Sequence, residues 1–349
     1  MRNTLAKKKQ RIVFIDYLRV FSCLSVIMIH VLASARTVFP DHTMFEELLC
    51  KVLPYMMYYA VPVFFMITGY LFYSKEIKMS YGDFFKKYVL KYIVAVFVFG
   101  FGYAVLEEVF NKNYSLTMPF TALLNTLLGK TWAHMWYLYA LVGVMLFIPI
   151  IKTLMDRGKE SIRYVSLILL ISSFLIPTIN SLFNIKIGFD LIMVSPYLLY
   201  TILGYYIGNG CMRNIKKSKC IAGIVFSASI IALFEILATI LNNDLASKFG
   251  IVGRYNSILI LILSACLFTL FTNIRNDSMN KYIDKISGMS YGIYILHMFW
   301  INLFYKFFGF SIFGDFMLLK IVLIFSVTTI LSYESTKLLK KVPLMKKII

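Results

Sequence analysis

The stretch IDYLRVFSCLSVIMIHV, residues 15–31, sets Asp16, Arg19 and His30 into an otherwise apolar run. A membrane-crossing helix needs roughly 20 apolar residues, and this run with its flanks supplies them. Ionisable groups inside such a helix are costly unless they face protein, water or one another, so they point to function or to a dedicated partner. At about 100° per residue, the step from Arg19 to His30 is about three full turns plus about 20°, so both side chains leave one helix face, about 16 Å apart along the axis. Asp16, three residues before Arg19, is a local ion-pair partner that accounts for Arg19 by itself. It does not account for His30, three turns further along the same stripe, and the stripe is therefore read as a functional face.

The rest of the chain fits a membrane protein. Of 349 residues, 60% are hydrophobic and 15% charged, with a mean hydropathy of +0.76. A soluble domain carries about 45–50% apolar and about 25% charged residues. The 31 Phe and 24 Tyr suit lipid contact and interfacial belts. A net charge of +19 does not indicate nucleic acid, because the basic residues fall in short clusters between apolar runs rather than on one soluble module.

These features predict an all-α integral membrane protein with about ten transmembrane helices, near 13–35, 52–73, 89–109, 134–151, 163–182, 189–207, 220–241, 254–272, 288–308 and 312–336. They form a single transmembrane domain over 1–349 with no attached soluble domain. The segment MPFTALLNTLLG, 118–129, is too short to cross and reads as re-entrant or interfacial. Lys and Arg cluster at the amino terminus (Arg2, Lys7, Lys8, Lys9, Arg11), in alternate connections (Lys75 to Lys91, Lys152 to Arg163, Arg213 to Lys219, Arg275 to Lys285) and in the tail. The other connections hold only Arg36, Lys51, Lys112, Lys130, Lys186, Lys248 and Arg254. The positive-inside rule then puts both termini in the cytoplasm.

The start MRNTLAKKKQR followed by CLSVIMIHVLASA imitates a secretory signal. Asp16 and Arg19 interrupt its apolar part, so it is expected to stay as the first helix. The five cysteines are odd in number and show neither metal-ligand spacing nor a disulfide framework. No Gly-rich phosphate loop, GxSxG or HExxH is present.

Four stretches together resemble one family. IDYLRVFSCLSVIMIHV looks like the first helix of the acyltransferase-3 family of membrane acyltransferases, whose signature is Arg, ten residues, then His. AVPVFFMITGYLF (60–72) resembles its second helix, with Thr68 where Ser is more usual. AHMWYLYALVGVMLFIPI (133–150) and ISGMSYGIYILHMFW (286–300) resemble its His-x-Trp-aromatic-Leu and late Ser-Tyr-Gly-x-Tyr-x-x-His helices. One site departs: the family's Arg-x-x-Arg at the entry to the third helix is here Tyr88 and Lys91, after Lys86 and Lys87. Charge is kept there but the guanidinium fork is lost.

The resemblance implies transfer of an acyl group, most often acetyl, from cytoplasmic acetyl-CoA (acyl-CoA) to a hydroxyl of an extracytoplasmic glycan or lipid-linked sugar, in a bacterial plasma membrane and without a metal. On that basis Lys86, Lys87, Lys91 and the deeper Arg19 would hold the donor's phosphates. His30 would be the general base, since an imidazole suits proton transfer near neutral pH, and Asp16 would steer Arg19. No Ser or Cys nucleophile is evident, so direct transfer is the simpler chemistry; Cys23 reads as packing.

Other candidates carry two readings each. His134, among Trp132, Trp136, Tyr137 and Tyr139, is ordinary aromatic-belt composition, and the resemblance makes it an acceptor or oxyanion contact. Ser290, Tyr294 and His297, at i, i+4 and i+7, form one polar helix face, either an interhelical hydrogen bond or part of a site. Trp136 would stack on a sugar or belong to the belt. Glu235 lies within a span and is functional or turned to the outer surface. Glu107 and Glu108 cap the outer end of the third helix and either bind a sugar or are solvated, Glu334 and Lys337 read as a pair, and His42 as a loop residue beside Asp41. The rival function is a polysaccharide or solute transporter without chemistry; no inverted repeat or pair of broken helices supports it.

Overall fold

The computed structural model describes residues 11–39, 43–183, 196–241, 252–274, 281–307 and 316–349. Among these there is no strand. The helices are α1 Val13–Val38, α2 Met44–Met56, α3 Ala60–Tyr73, α4 Tyr81–Phe110, α5 Met118–Leu127, α6 Trp136–Arg157, α7 Lys159–Phe183, α8 Pro196–Gly208, α9 Lys217–Leu241, α10 Ile258–Thr272, α11 Lys281–Ser287, α12 Ser290–Asn302, α13 Met317–Leu339 and α14 Pro343–Ile348. Among the described residues, each apolar stretch marked in the sequence contains helix, and the short 118–129 segment holds the ten-residue α5.

Seven helical stretches among the described residues are long and apolar enough to cross a membrane: α1, α2 with α3, α4, the run Ala133–Arg157 ending α6, α7, α9 and α13. Of the other three expected spans, the described residues contain α8, α10 and α12. Residues 189–195 of the expected sixth span, 308 of the ninth and 312–315 of the tenth lie outside the described residues, as does His42.

The stretch expected as one helix over 52–73 is two, joined by a turn at 57–59. Pro62 explains the break. It has no N–H for the carbonyl of Tyr58, and its ring clashes with that carbonyl in a continuous helix. The chain starts α2 with a capping box, in which Thr43 and Glu46 satisfy each other's backbone N–H groups.

α1 is the hub. It packs against α2, α3, α10, α11, α12 and α13, and Ile15, Leu18, Ile27 and Leu32 are buried on different sides of it. At the periphery, α7 and α9 leave Leu167, Ile171, Val225, Phe226 and Leu233 exposed. Such a surface is a liability in water and the normal exterior of a protein in lipid.

α3 and α8 touch backbone to backbone. A Cβ on Gly69 would lie 1.9 Å from the Thr201 carbonyl oxygen, and one on Gly204 would lie 2.0 Å from that of Met66. Close approach through small residues is how helices associate where lipid removes the hydrophobic driving force. It fixes α3, which carries Phe64 and Thr68 to the site below.

Candidate active site

Three histidines distant in sequence meet in the interior. α1 runs unbroken through Arg19 and His30. A 3-10 turn, Ala133–Met135, brings His134 in just before α6, and α12 brings His297. The His30 ring centroid is 5.1 Å from that of His297 and 6.4 Å from that of His134, and the latter two are 5.2 Å apart. His134 and His297 are fully buried. The belt position that composition favours for His134 is thus not the one it occupies.

Hydrogen bonds fix two of the rings. His134 Nε2 donates to the Ile295 carbonyl at 3.0 Å, and His297 Nδ1 donates to the Tyr294 carbonyl. A carbonyl only accepts, so these nitrogens carry the hydrogen, and in a neutral ring the opposite nitrogen is an acceptor. Those opposite atoms, His134 Nδ1 and His297 Nε2, are buried and have no hydrogen-bond partner among the described residues. Two lone pairs are therefore presented at the cluster, which suits accepting from a substrate hydroxyl. It does not suit the oxyanion contact that the sequence offers for His134. Tyr294 Oη donates to the His134 carbonyl at 2.6 Å, and Tyr103 Oη to that of Ile295 at 2.8 Å, locking α4, α12 and the turn together.

A basic cavity of about 410 Å3 lies to one side of this cluster, with none of the three histidines among its lining residues. Tyr294, Tyr137, Ser290 and Thr68 line it, together with Arg19, Lys91, Lys340, Lys346 and Lys347. No carboxylate side chain is among its lining residues. Tyr294 links cavity to cluster, with its ring 5.6 Å from His297 and 6.0 Å from His134. Lys340 donates to the Gly288 carbonyl at 2.7 Å, and burial pulls its pKa below the usual lysine range.

Asp16 does not belong chiefly to Arg19. Its Oδ2 is 2.7 Å from Arg11 Nε, its Oδ1 accepts from Ser287 Oγ, and Arg19 is 3.8 Å away. Arg11 also pairs with Asp284. Asp16 therefore ties the start of α1 to α11, and leaves the Arg19 guanidinium facing the cavity.

Lys86 and Lys87 stand on an exposed π-helical turn, Phe85–Val89, and are not among the residues lining the cavity. Tyr88 is packed edge-on against Phe72, its ring 5.1 Å away. Of the expected donor-binding residues, the structure brings Arg19 and Lys91 together.

A second cavity, of about 360 Å3, opens at the opposite end of the same helices. It is lined by Glu107, Glu108, Asn125, Lys130, Trp132, Asn302 and Lys306, among others. Lys91 and Glu107 stand near opposite ends of α4, roughly 24 Å apart at the helical rise. Glu107 is not simply solvated. It accepts from Trp132 Nε1 at 2.7 Å and from Lys306 Nζ at 2.9 Å. Trp132 is buried and stacks on Tyr103, with centroids 4.3 Å apart.

Trp136 packs with Tyr197 and Tyr255 and, edge-on, with Tyr137, through which it adjoins the basic cavity without lining it. Glu235 is buried on α9, and neither it nor Trp136 lines the two cavities. Cys23 is buried against the Ser290 carbonyl, as expected of packing. Glu334 and Lys337 pair at 3.0 Å. Among the described residues, no group of three or more His, Cys, Asp or Glu is arranged to hold a metal ion.

Fold and site define a polytopic, all-helical membrane protein with a histidine centre between two polar cavities. The family model described as "Acyltransferase domain", that of the acyltransferase-3 family, matches residues 12–334, and the chain belongs to that family. No curated protein and no solved structure matches it.

Proposed function

We propose that the protein transfers an acyl group, in the simplest case acetyl, from acyl-CoA in the basic cavity to a hydroxyl of a glycan or lipid-linked sugar in the second cavity. The observation that carries this reading is the placement of the histidine cluster between a basic cavity and one of mixed carboxylate, amide and tryptophan lining. The donor is a polyphosphate with a long thiol arm, and five cationic side chains at one mouth suit it. The acceptor is rich in hydroxyls, which carboxylates, amides and aromatic faces bind.

In this scheme the arm extends past Arg19 to set its thioester beside Tyr294 and His30. His30 takes the proton of the acceptor hydroxyl as the oxygen attacks the thioester carbonyl. The carbon–sulfur bond then breaks, and the thiolate leaves with the proton returned by the imidazolium, giving an ester and free CoA. His134 Nδ1 and His297 Nε2 accept from the sugar and orient it. The membrane is the bacterial plasma membrane, crossed ten times, with both termini and the basic mouth in the cytoplasm.

The test is mass spectrometry of surface glycans from cells lacking the protein, then complemented with wild type, Arg19→Ala or His30→Ala. Acyl mass increments should vanish with the gene, return with wild type, and stay absent with either mutant at equal expression. Retention of every acyl group with a fall in total surface glycan would instead mean polymer transport.

A further inference from the structure

We infer that the short helix α14 is part of the donor site, and that Lys346 and Lys347 hold phosphates of the acyl-CoA. This rests on the donor reading given above. It concerns a segment that the family match, ending at residue 334, does not cover.

Three observations support it. First, α13 ends at Leu339, the chain reverses through 340–342, and α14 folds back to pack against α4, the helix that carries Lys91 and Tyr92. Second, the segment is amphipathic in place. Ile348 is buried, with Met345 and Ile349 packed on the same core, whereas Lys346 and Lys347 are exposed and line the basic cavity. Docking is thus apolar and leaves both ammonium groups free for a ligand. Third, the cavity lacks the cation that the family pattern would place at position 88. Tyr88 is instead packed between Phe72 and Phe84, each ring 5.1 Å away. Lys346, Lys347 and Lys340 supply positive charge to the same cavity.

The graded burial of these groups matches the shape of the ligand. Among the lining residues Tyr294 is buried, Arg19 and Lys91 are half-buried, and the α14 lysines are exposed. A thiol arm entering first leaves the nucleotide end, where the charge is, at the lysines. Ammonium groups act there as point charges rather than as a rigid fork, so the pair tolerates phosphates at more than one position.

The experiment is equilibrium binding of coenzyme A to the purified full-length protein in nanodiscs, with pantetheine as the arm lacking phosphates. Wild type is compared with a Lys346→Gln/Lys347→Gln variant and with Lys216→Gln/Lys217→Gln, which removes two exposed lysines outside the cavity. Thermal denaturation confirms that each variant is folded. The α14 variant should lose about tenfold or more in coenzyme A affinity, as expected for charge-assisted contacts. It should bind pantetheine as wild type does, and the control pair should change coenzyme A binding less than about twofold. Unchanged coenzyme A affinity in the α14 variant overturns the inference and leaves the proposed function standing. An equal loss in both lysine pairs also overturns it, because it reports general surface charge. Wild type that fails to bind coenzyme A removes the donor reading itself.

Discussion

Asp16 shares its charge among Arg11, Ser287 and Arg19, and that division decides what each neighbour does. Because its close partners are Arg11 and Ser287, Asp16→Asn should act mainly on stability. A loss of about 1–3 kcal/mol is expected for weakening a buried hydrogen-bonded charge, seen as a lower melting temperature in detergent with the donor KM changed less than about threefold. Arg19→Gln should do the opposite, keeping the melting temperature and raising the donor KM about tenfold or more. Interchanged results for these two variants would return Asp16 to the role of steering Arg19. His30→Ala should lower kcat by about 10²–10⁴, the usual share of a general base, while coenzyme A binding persists. If activity survives that change but not His297→Gln, the base is the unpartnered Nε2 of His297.

At the scale of the helix, the Gly69–Gly204 contact is a sharp constraint. Gly204→Leu drives a side chain into the backbone of α3 and should cost at least the 1–3 kcal/mol typical of overpacking, read as loss of the monodisperse peak after extraction. The same substitution at Gly143, around which there is open space, should be tolerated. Glu107→Gln removes the ion pair between α4 and Lys306, in the turn Leu303–Phe307 that follows α12. It should raise the acceptor KM and leave the donor KM alone, which initial rates with each substrate varied in turn would show. Helix positions were legible in the sequence because a run of apolar residues is a local signal. The Arg19–His30 stripe was legible for the same reason, being set by one helix's own period. The break before α3 was missed, since 52–73 reads as one apolar run, although Pro62 marks it locally. The histidine trio was not legible, because His30, His134 and His297 come from three segments whose adjacency no local pattern encodes. Nor was α14, since PLMKKI is too short to show a period, and its lysines read only as topology markers.

For the molecule as a whole, orientation is the property most open to a direct test. Cys211 is exposed, in the connection that carries Arg213 and Lys216, whereas Cys23, Cys50 and Cys220 are buried. A membrane-impermeant maleimide should label Cys211 in opened cells and not in intact ones; labelling of intact cells would invert the topology. The exposed apolar side chains of α7 and α9 then make up the lipid-facing wall around a core organised by α1. The two cavities within that core share no lining residue, and Tyr294, which lines the basic one, packs against His134 and His297. A plasma membrane holds a voltage worth about 2.3 kcal/mol per unit charge for each 100 mV, which a continuous wet path would discharge. On the proposed reading, an acyl group crosses between the two cavities as an exchange of bonds, while the bilayer remains an electrical insulator. Cells that overproduce the protein should then keep their resting potential, since in that reading an acyl group crosses and current does not.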